Sequence, residues 1–168
     1  MVCQSQSICE AHIVIQISRE DALSEEKLLI TPYLQIATIC ERYILEADGA
    51  LTLFRVIDRF MLSGPTPDMP PTLLQFTVVV VFKSGHFRGR LELTLATIDP
   101  SMNTLSQVNF PTLFEGDDER GCNTIAQVQM QVKEEGLYWI TVSLAGQEYT
   151  RVPLRVIYQK LPTVLTAG

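Results

Sequence analysis

The hydrophobic pattern is clearest late in the chain, where Tyr138, Ile140, Val142 and Leu144 alternate with Trp139, Thr141 and Ser143. Successive side chains of an extended segment point to opposite faces. The first set therefore predicts a core-facing row, and the second a row turned to solvent or to a partner. Gly146 supplies a turn. The return segment repeats the alternation, with Val152, Leu154, Val156 and Tyr158 on one face and Tyr149, Arg151, Pro153 and Arg155 on the other. The stretch from Glu134 to Tyr158 is thus expected to be an antiparallel hairpin closing a β-sandwich. Pro153 has no N–H to donate, which predicts an edge, a bulge or an outward N–H position. Glu134, Gly136 and Tyr138 have the spacing of a tyrosine corner, in which the hydroxyl bonds back to the preceding loop. Ile140 stands where antibody domains carry the second cysteine, so that disulfide is not expected.

The same alternation organises the rest. Leu34, Ile36, Thr38 and Cys40 alternate with Gln35, Ala37 and Ile39, which predicts a strand with Cys40 as a small core residue. CERYILEADG reads as a helical turn or two ended by Asp48-Gly49. Leu51 to Phe60 reads as one strand, apolar on both faces near Leu53, Phe54, Val56 and Ile57 and hence central or partly covered. Ser63 to Pro71 holds four prolines and predicts a stiff loop that crosses between sheets or projects outward. Leu74, Phe76, Val78, Val80 and Phe82 predict an inward row, with Val79 and Val81 giving the opposite face an apolar stretch. After Ser84–His86, Phe87, Leu91, Leu93 and Leu95 are expected to return as the second arm of a half-buried hairpin. Val108, Phe110 and Thr112 suggest another strand. Ala126, Val128, Met130 and Val132 alternate with Gln127, Gln129 and Gln131, a row expected to face solvent. The fold expected is an all-β, immunoglobulin-like antiparallel β-sandwich of seven to nine strands, with one short helical connection and an N-terminal extension. Residues 1–31 form that extension, expected to be partly ordered, either as a short strand at His12–Ile17 and a short helix packed on the domain edge or as a mobile arm; 32–160 form the sandwich, and 161–168 a tail.

At 168 residues with 46% hydrophobic composition, the chain can bury one substantial core. Its net charge of −6 opposes non-specific attraction to nucleic acid or to anionic membranes. The longest apolar run, Val78 to Phe82, is too short to span a bilayer as a helix. Cys3, Cys9, Cys40 and Cys122 lack CxxC spacing, and no signal-peptide pattern precedes them, so free thiols in a cytoplasmic protein are expected. Cys3, Cys9 and His12 fall short of a closed four-ligand zinc site.

No nucleophile elbow, phosphate loop, HExxH or dinucleotide fingerprint occurs, and the two histidines adjoin no nucleophile in sequence; no catalytic residue, cofactor or metal ligand is expected. The stronger candidates are surface residues. Trp139 and Tyr149, with Arg151 and Arg155 and secondarily Arg88 and Arg90, are the residue types that interaction hot spots use. They predict a non-catalytic module that presents a sheet face to a protein partner or to itself, unless the chain covers that face. The alternative is small-ligand or carbohydrate binding at a loop end, with Asp99, Asp117, Asp118 and Glu119 as possible calcium ligands.

CERYILEADGALTLFRVIDRF, LTLATIDP and GLYWITVSLAGQEYTRVPLRVIY together resemble a family of uncharacterised bacterial and phage-associated proteins. The resemblance covers Tyr33 to Tyr158 and implies an immunoglobulin-like β-sandwich. It implies no activity, and it carries no catalytic residue onto this chain.

Overall fold

The computed structural model describes residues 31–161, which form nine strands and no helix. The strands are β1 (Tyr33–Leu45), β2 (Leu51–Val56), β3 (Arg59–Gly64), β4 (Thr72–Lys83), β5 (Gly89–Ile98), β6 (Thr104–Phe114), β7 (Gly121–Val132), β8 (Gly136–Leu144) and β9 (Gln147–Lys160). They build a four-stranded sheet in the order β2-β1-β4-β7 and a five-stranded sheet in the order β3-β9-β8-β5-β6. All pairings are antiparallel except β3 with β9. Apart from Thr31 and Leu161, the expected N-terminal extension and C-terminal tail lie outside the described residues.

The predicted inward rows form the core. Leu74, Phe76, Val78, Val80 and Phe82 from β4 meet Leu93 and Leu95 from β5, Tyr138, Ile140, Val142 and Leu144 from β8, and Leu154 and Val156 from β9, all buried. Each such side chain contributes about 1.5–3 kcal/mol on leaving water. β4 is buried on its other face as well. Val79 and Val81 pack with Cys40 under Leu51 and Leu53 of β2 and Ile125 of β7. The apolar outer stretch of β4 is thus covered from within the chain, by the ribbon that β1 and β2 form.

That ribbon corrects the expected helix. Glu41 to Leu45 continue β1 and pair with β2, and Asp48-Gly49 form the turn, with Gly49 at φ 86° and the Ala50 N–H donating to Asp48 Oδ1 at 2.9 Å. β-branched Ile44 and aromatic Tyr43 suit this extended ribbon. The strand expected to be central or partly covered over Leu51–Phe60 is two strands, each ending a different sheet of the described residues and largely exposed. Arg55, at φ 52°, and the Ile57-Asp58 break redirect the chain between them. β4 and β5 are not a hairpin either, since β4 pairs with β1 and β7 while β5 pairs with β6 and β8. A strand apolar on both faces needs neighbours on both edges and cover on both sides, so the Ser84–Arg88 connection crosses between sheets. The proline-rich segment also crosses, from β3 to β4, and the Tyr158 hydroxyl ties it down by donating to the Thr66 carbonyl at 2.8 Å.

Two register shifts move residues from their predicted faces. A shift between Leu34 and Ile36 puts Ala37 and Ile39 in the main core and turns Cys40, still buried, into the outer cluster. A second shift, where Val142 faces Thr150 and Ser143 faces Glu148, leaves Tyr149 as the extra residue of a bulge. The closing hairpin is otherwise as predicted, with Ala145 and Gly146 at φ 51° and 80° forming its two-residue turn. Pro153 lies where β9 is an edge, because β3 pairs only from Arg155 onward.

The tyrosine corner is present: the buried Tyr138 hydroxyl donates to the Glu134 carbonyl at 2.9 Å. Tyr138→Phe removes this bond and leaves a carbonyl to be satisfied otherwise, so it should lower the unfolding free energy by about 0.5–1.5 kcal/mol. Urea unfolding of the two proteins measures this. Equal midpoints would show that the corner adds nothing to stability.

Candidate functional site

The six residues singled out from the sequence do not form one site. Trp139 lies on the outer face of the five-stranded sheet, half-buried, directly across from Pro153 of β9 and Ile98 of β5. Leu137 and Ile157 share that face, and Met61, opposite Ile157, is 62% exposed. None of these belongs to either buried cluster. Arg151 and Arg155 flank them on β9. Arg151 forms a two-bond pair with Glu148 at 2.7 and 3.1 Å, whereas Arg155 has no ion pair among the described residues and sits beside Arg59 of β3.

Tyr149 was expected beside Trp139 and is not. The bulge turns it inward, where its ring meets Phe82 edge-on with centroids 5.0 Å apart. Its hydroxyl donates to the Pro32 carbonyl at 3.0 Å. Burial raises its pKa. Its role is to fasten the start of β1 to the core, and a strict period of two could not reveal this.

Arg88 and Arg90 lie elsewhere. Arg90 is six residues along β5 from Ala96, which shares a row with Thr141 and Arg151, so about 20 Å separates the two groups. Arg88 binds the turn, donating to the Gly85 and Phe87 carbonyls and to Asp118 Oδ1 at 2.7 Å. His86 Nδ1 lies 2.6 Å from Asp118 Oδ2. The buried Ser84 hydroxyl, two residues away, has no hydrogen-bond partner, and no bond joins it to His86. A nucleophile and base are therefore not assembled here.

The proposed calcium ligands are also dispersed. Asp118 pairs with His86 and Arg88 at one end of β5, while Asp99 follows the other end. The ten residues between place them about 33 Å apart. Asp99 instead caps its own turn, accepting from the Asn103 N–H at 2.7 Å and from Asn103 Nδ2 at 3.1 Å. No group of three or more metal-ligating side chains gathers among the described residues. No helix there is long and apolar enough to cross a membrane.

One feature escaped the alternation entirely. The sheets part between β6 and β7, leaving a cleft of about 510 Å³ lined by Leu95, Val108, Phe110, Ala126, Val128 and Ile140 among others. Val108 sits on the core-facing side of β6 and is still 53% exposed. Inward periodicity marks these residues as core, but only the strand order shows that β6 and β7 are both edges.

Comparison with known proteins adds a family and little chemistry. Residues 35–157 match the family described as "Family of unknown function (DUF6941)". No curated protein matches the chain. Among solved structures, the Pseudomonas fluorescens alkylpurine DNA glycosylase AlkC, bound to DNA containing an abasic site analog, shares 7% identity at a TM-score of 0.43. The similarity covers 75% of this chain and only 30% of that one. A likeness that weak assigns neither fold nor activity.

The hydrogen bonds from Asn103, first the backbone one and then the side-chain one, hold the Asp99 carboxyl below its ordinary pKa. Its stabilising contribution is therefore complete above about pH 4, the unfolded value, and is lost as pH falls through the lower folded value. Asp99→Asn keeps an acceptor but does not titrate, so its melting temperature should fall less than that of the unsubstituted protein between pH 5 and pH 2. Parallel melting curves across this window would contradict the assignment.

Proposed function

The chain belongs to the family of unknown function DUF6941, and from that premise we propose that it is a non-catalytic protein-interaction module on an immunoglobulin-like sandwich. Three features support the sandwich type: β1, β4 and β7 oppose β9, β8 and β5; the short β3 runs parallel to the last strand; and a tyrosine corner opens β8. The bacterial and phage-associated setting implied by the family resemblance is part of the proposal. So is a reducing cytoplasm, in keeping with the free thiols of Cys40 and Cys122.

The observation that carries the function is an asymmetry between the two outer faces. The apolar stretch of the four-stranded sheet is sealed by the β1–β2 ribbon, whereas Trp139, Ile98, Leu137 and Ile157 stay outside both clusters with exposed Met61, Pro153 and Arg155 beside them. Large aromatics ringed by arginine are the anchors on which protein interfaces concentrate their energy. Arg155, without an ion-pair carboxylate among the described residues, suits a partner that brings an acidic side chain to the rim.

The test is affinity capture from the source organism's lysate, followed by titration of the captured protein against the purified chain. Trp139→Ala should weaken that binding ~30-fold or more, as expected for loss of a hot spot worth at least ~2 kcal/mol, with the melting temperature little changed. A partner whose affinity is the same for Trp139→Ala and Arg155→Glu would place the interface elsewhere.

A further inference from the structure

Among the described residues, four strands end the two sheets, and three of them are guarded against pairing with another chain. β2 is six residues long and contains Arg55 at a φ of 52°, β3 is equally short and begins at Arg59, and β6 contains Pro111. Charge, brevity, proline and irregular backbone are the means by which proteins protect sheet edges. β7 has none of them. Its twelve residues, GCNTIAQVQMQV, are uncharged and proline-free, and they pair with β4 from Gly121 to Val132 without a register shift.

Space also flanks β7 on both sides of its sheet. The inner side opens on the apolar cleft of about 510 Å³. On the outer side, a trough of about 320 Å³ is lined by Gln75, Thr77, Gln127 and Gln129, with Glu41 at one side. A strand laid along β7 would send alternate side chains into an apolar and a polar space. β7 is itself such a strand, with Ala126, Val128 and Met130 on one face and exposed Gln127, Gln129 and Gln131 on the other.

We propose that β7 pairs antiparallel with β7 of a second copy across a two-fold axis, joining two four-stranded sheets into one continuous sheet. A two-fold operation places each strand against its own reverse, as isologous contacts require. Glutamine amides both donate and accept, so this row tolerates its own copy opposite, whereas a lysine or glutamate row would meet like charge. The chain's net charge of −6 does not oppose the contact locally, because β7 carries none of it. In the antibody-type sandwich, the corresponding edge is where a further strand of the chain pairs. This contact uses a surface separate from Trp139 and does not rest on the partner reading.

Light scattering after size exclusion of the full chain should give the mass of two chains. The double variant Gln127→Lys, Gln129→Lys, altered only at exposed positions, should give the mass of one chain with an unchanged melting temperature. So should Gln127→Glu, Gln129→Glu. Mixing the two variants should restore the two-chain mass, because lysine then meets glutamate across the axis. Trp139→Ala should stay at two chains, which separates failure of this contact from failure of the partner surface. A one-chain mass for the unsubstituted protein at its highest soluble concentration would overturn the proposal. A two-chain mass in the lysine variant, or no restoration on mixing, would do the same.

Discussion

The structure depends on one strand having to be buried on both faces. β4 carries Leu74, Phe76, Val78, Val80 and Phe82 on one side and Val79 and Val81 on the other, and every one of these is buried. One face can be covered by an opposing sheet. The other needs cover from outside the sheet, and Leu51 and Leu53 on the β1–β2 ribbon supply it with Ile125. Apolar hydration drives both contacts, and it leaves β4 central, flanked by β1 and β7. The long β1 follows from this arrangement, since its first part must pair with β4 and its second with β2.

Once those faces are sealed, what stays open is informative. The five-stranded sheet has no equivalent cover for Trp139 among the described residues, and the four-stranded sheet ends at an unguarded β7 beside an apolar cleft. Several charged groups, in contrast, pair with one another locally. Arg151 binds Glu148, Arg59 binds Asp58, and Asp118 gathers His86 and Arg88. Such exposed pairs stabilise little. They do tie up Arg88, Arg151 and Asp118, three of the side chains that would otherwise suggest a phosphate patch or a cation site.

Much of this was legible in the chain's alternation. The inward rows of β4, β8 and β9, the exposed glutamine row of β7 and the tyrosine corner all follow from local side-chain period and spacing. Tyr149 and Cys40 were assigned to the wrong faces because a bulge shifts the period by one residue, and no residue type announces a bulge there. CERYILEADG reads as helical because Tyr43, Ile44 and Ala47 fall near one helical face and Asp48-Gly49 end it as a turn. Pairing with Leu51–Val56 overrides that local spacing. The cleft was hidden for a different reason: periodicity tells which side of a strand is apolar, but strand order decides which strands lack a neighbour.

The outer face of β4 is a true interior, and the unfolding free energy of Val79→Ala tests this most directly. Sealed under the β1–β2 ribbon, Val79 should behave as a core residue, and the truncation should cost about 1–3 kcal/mol through lost burial and the cavity left behind. A loss within about 0.5 kcal/mol, the range of an ordinary surface substitution, would show that the ribbon does not cover the sheet. The contrast between that sealed stretch and the open face around Trp139 would then be lost.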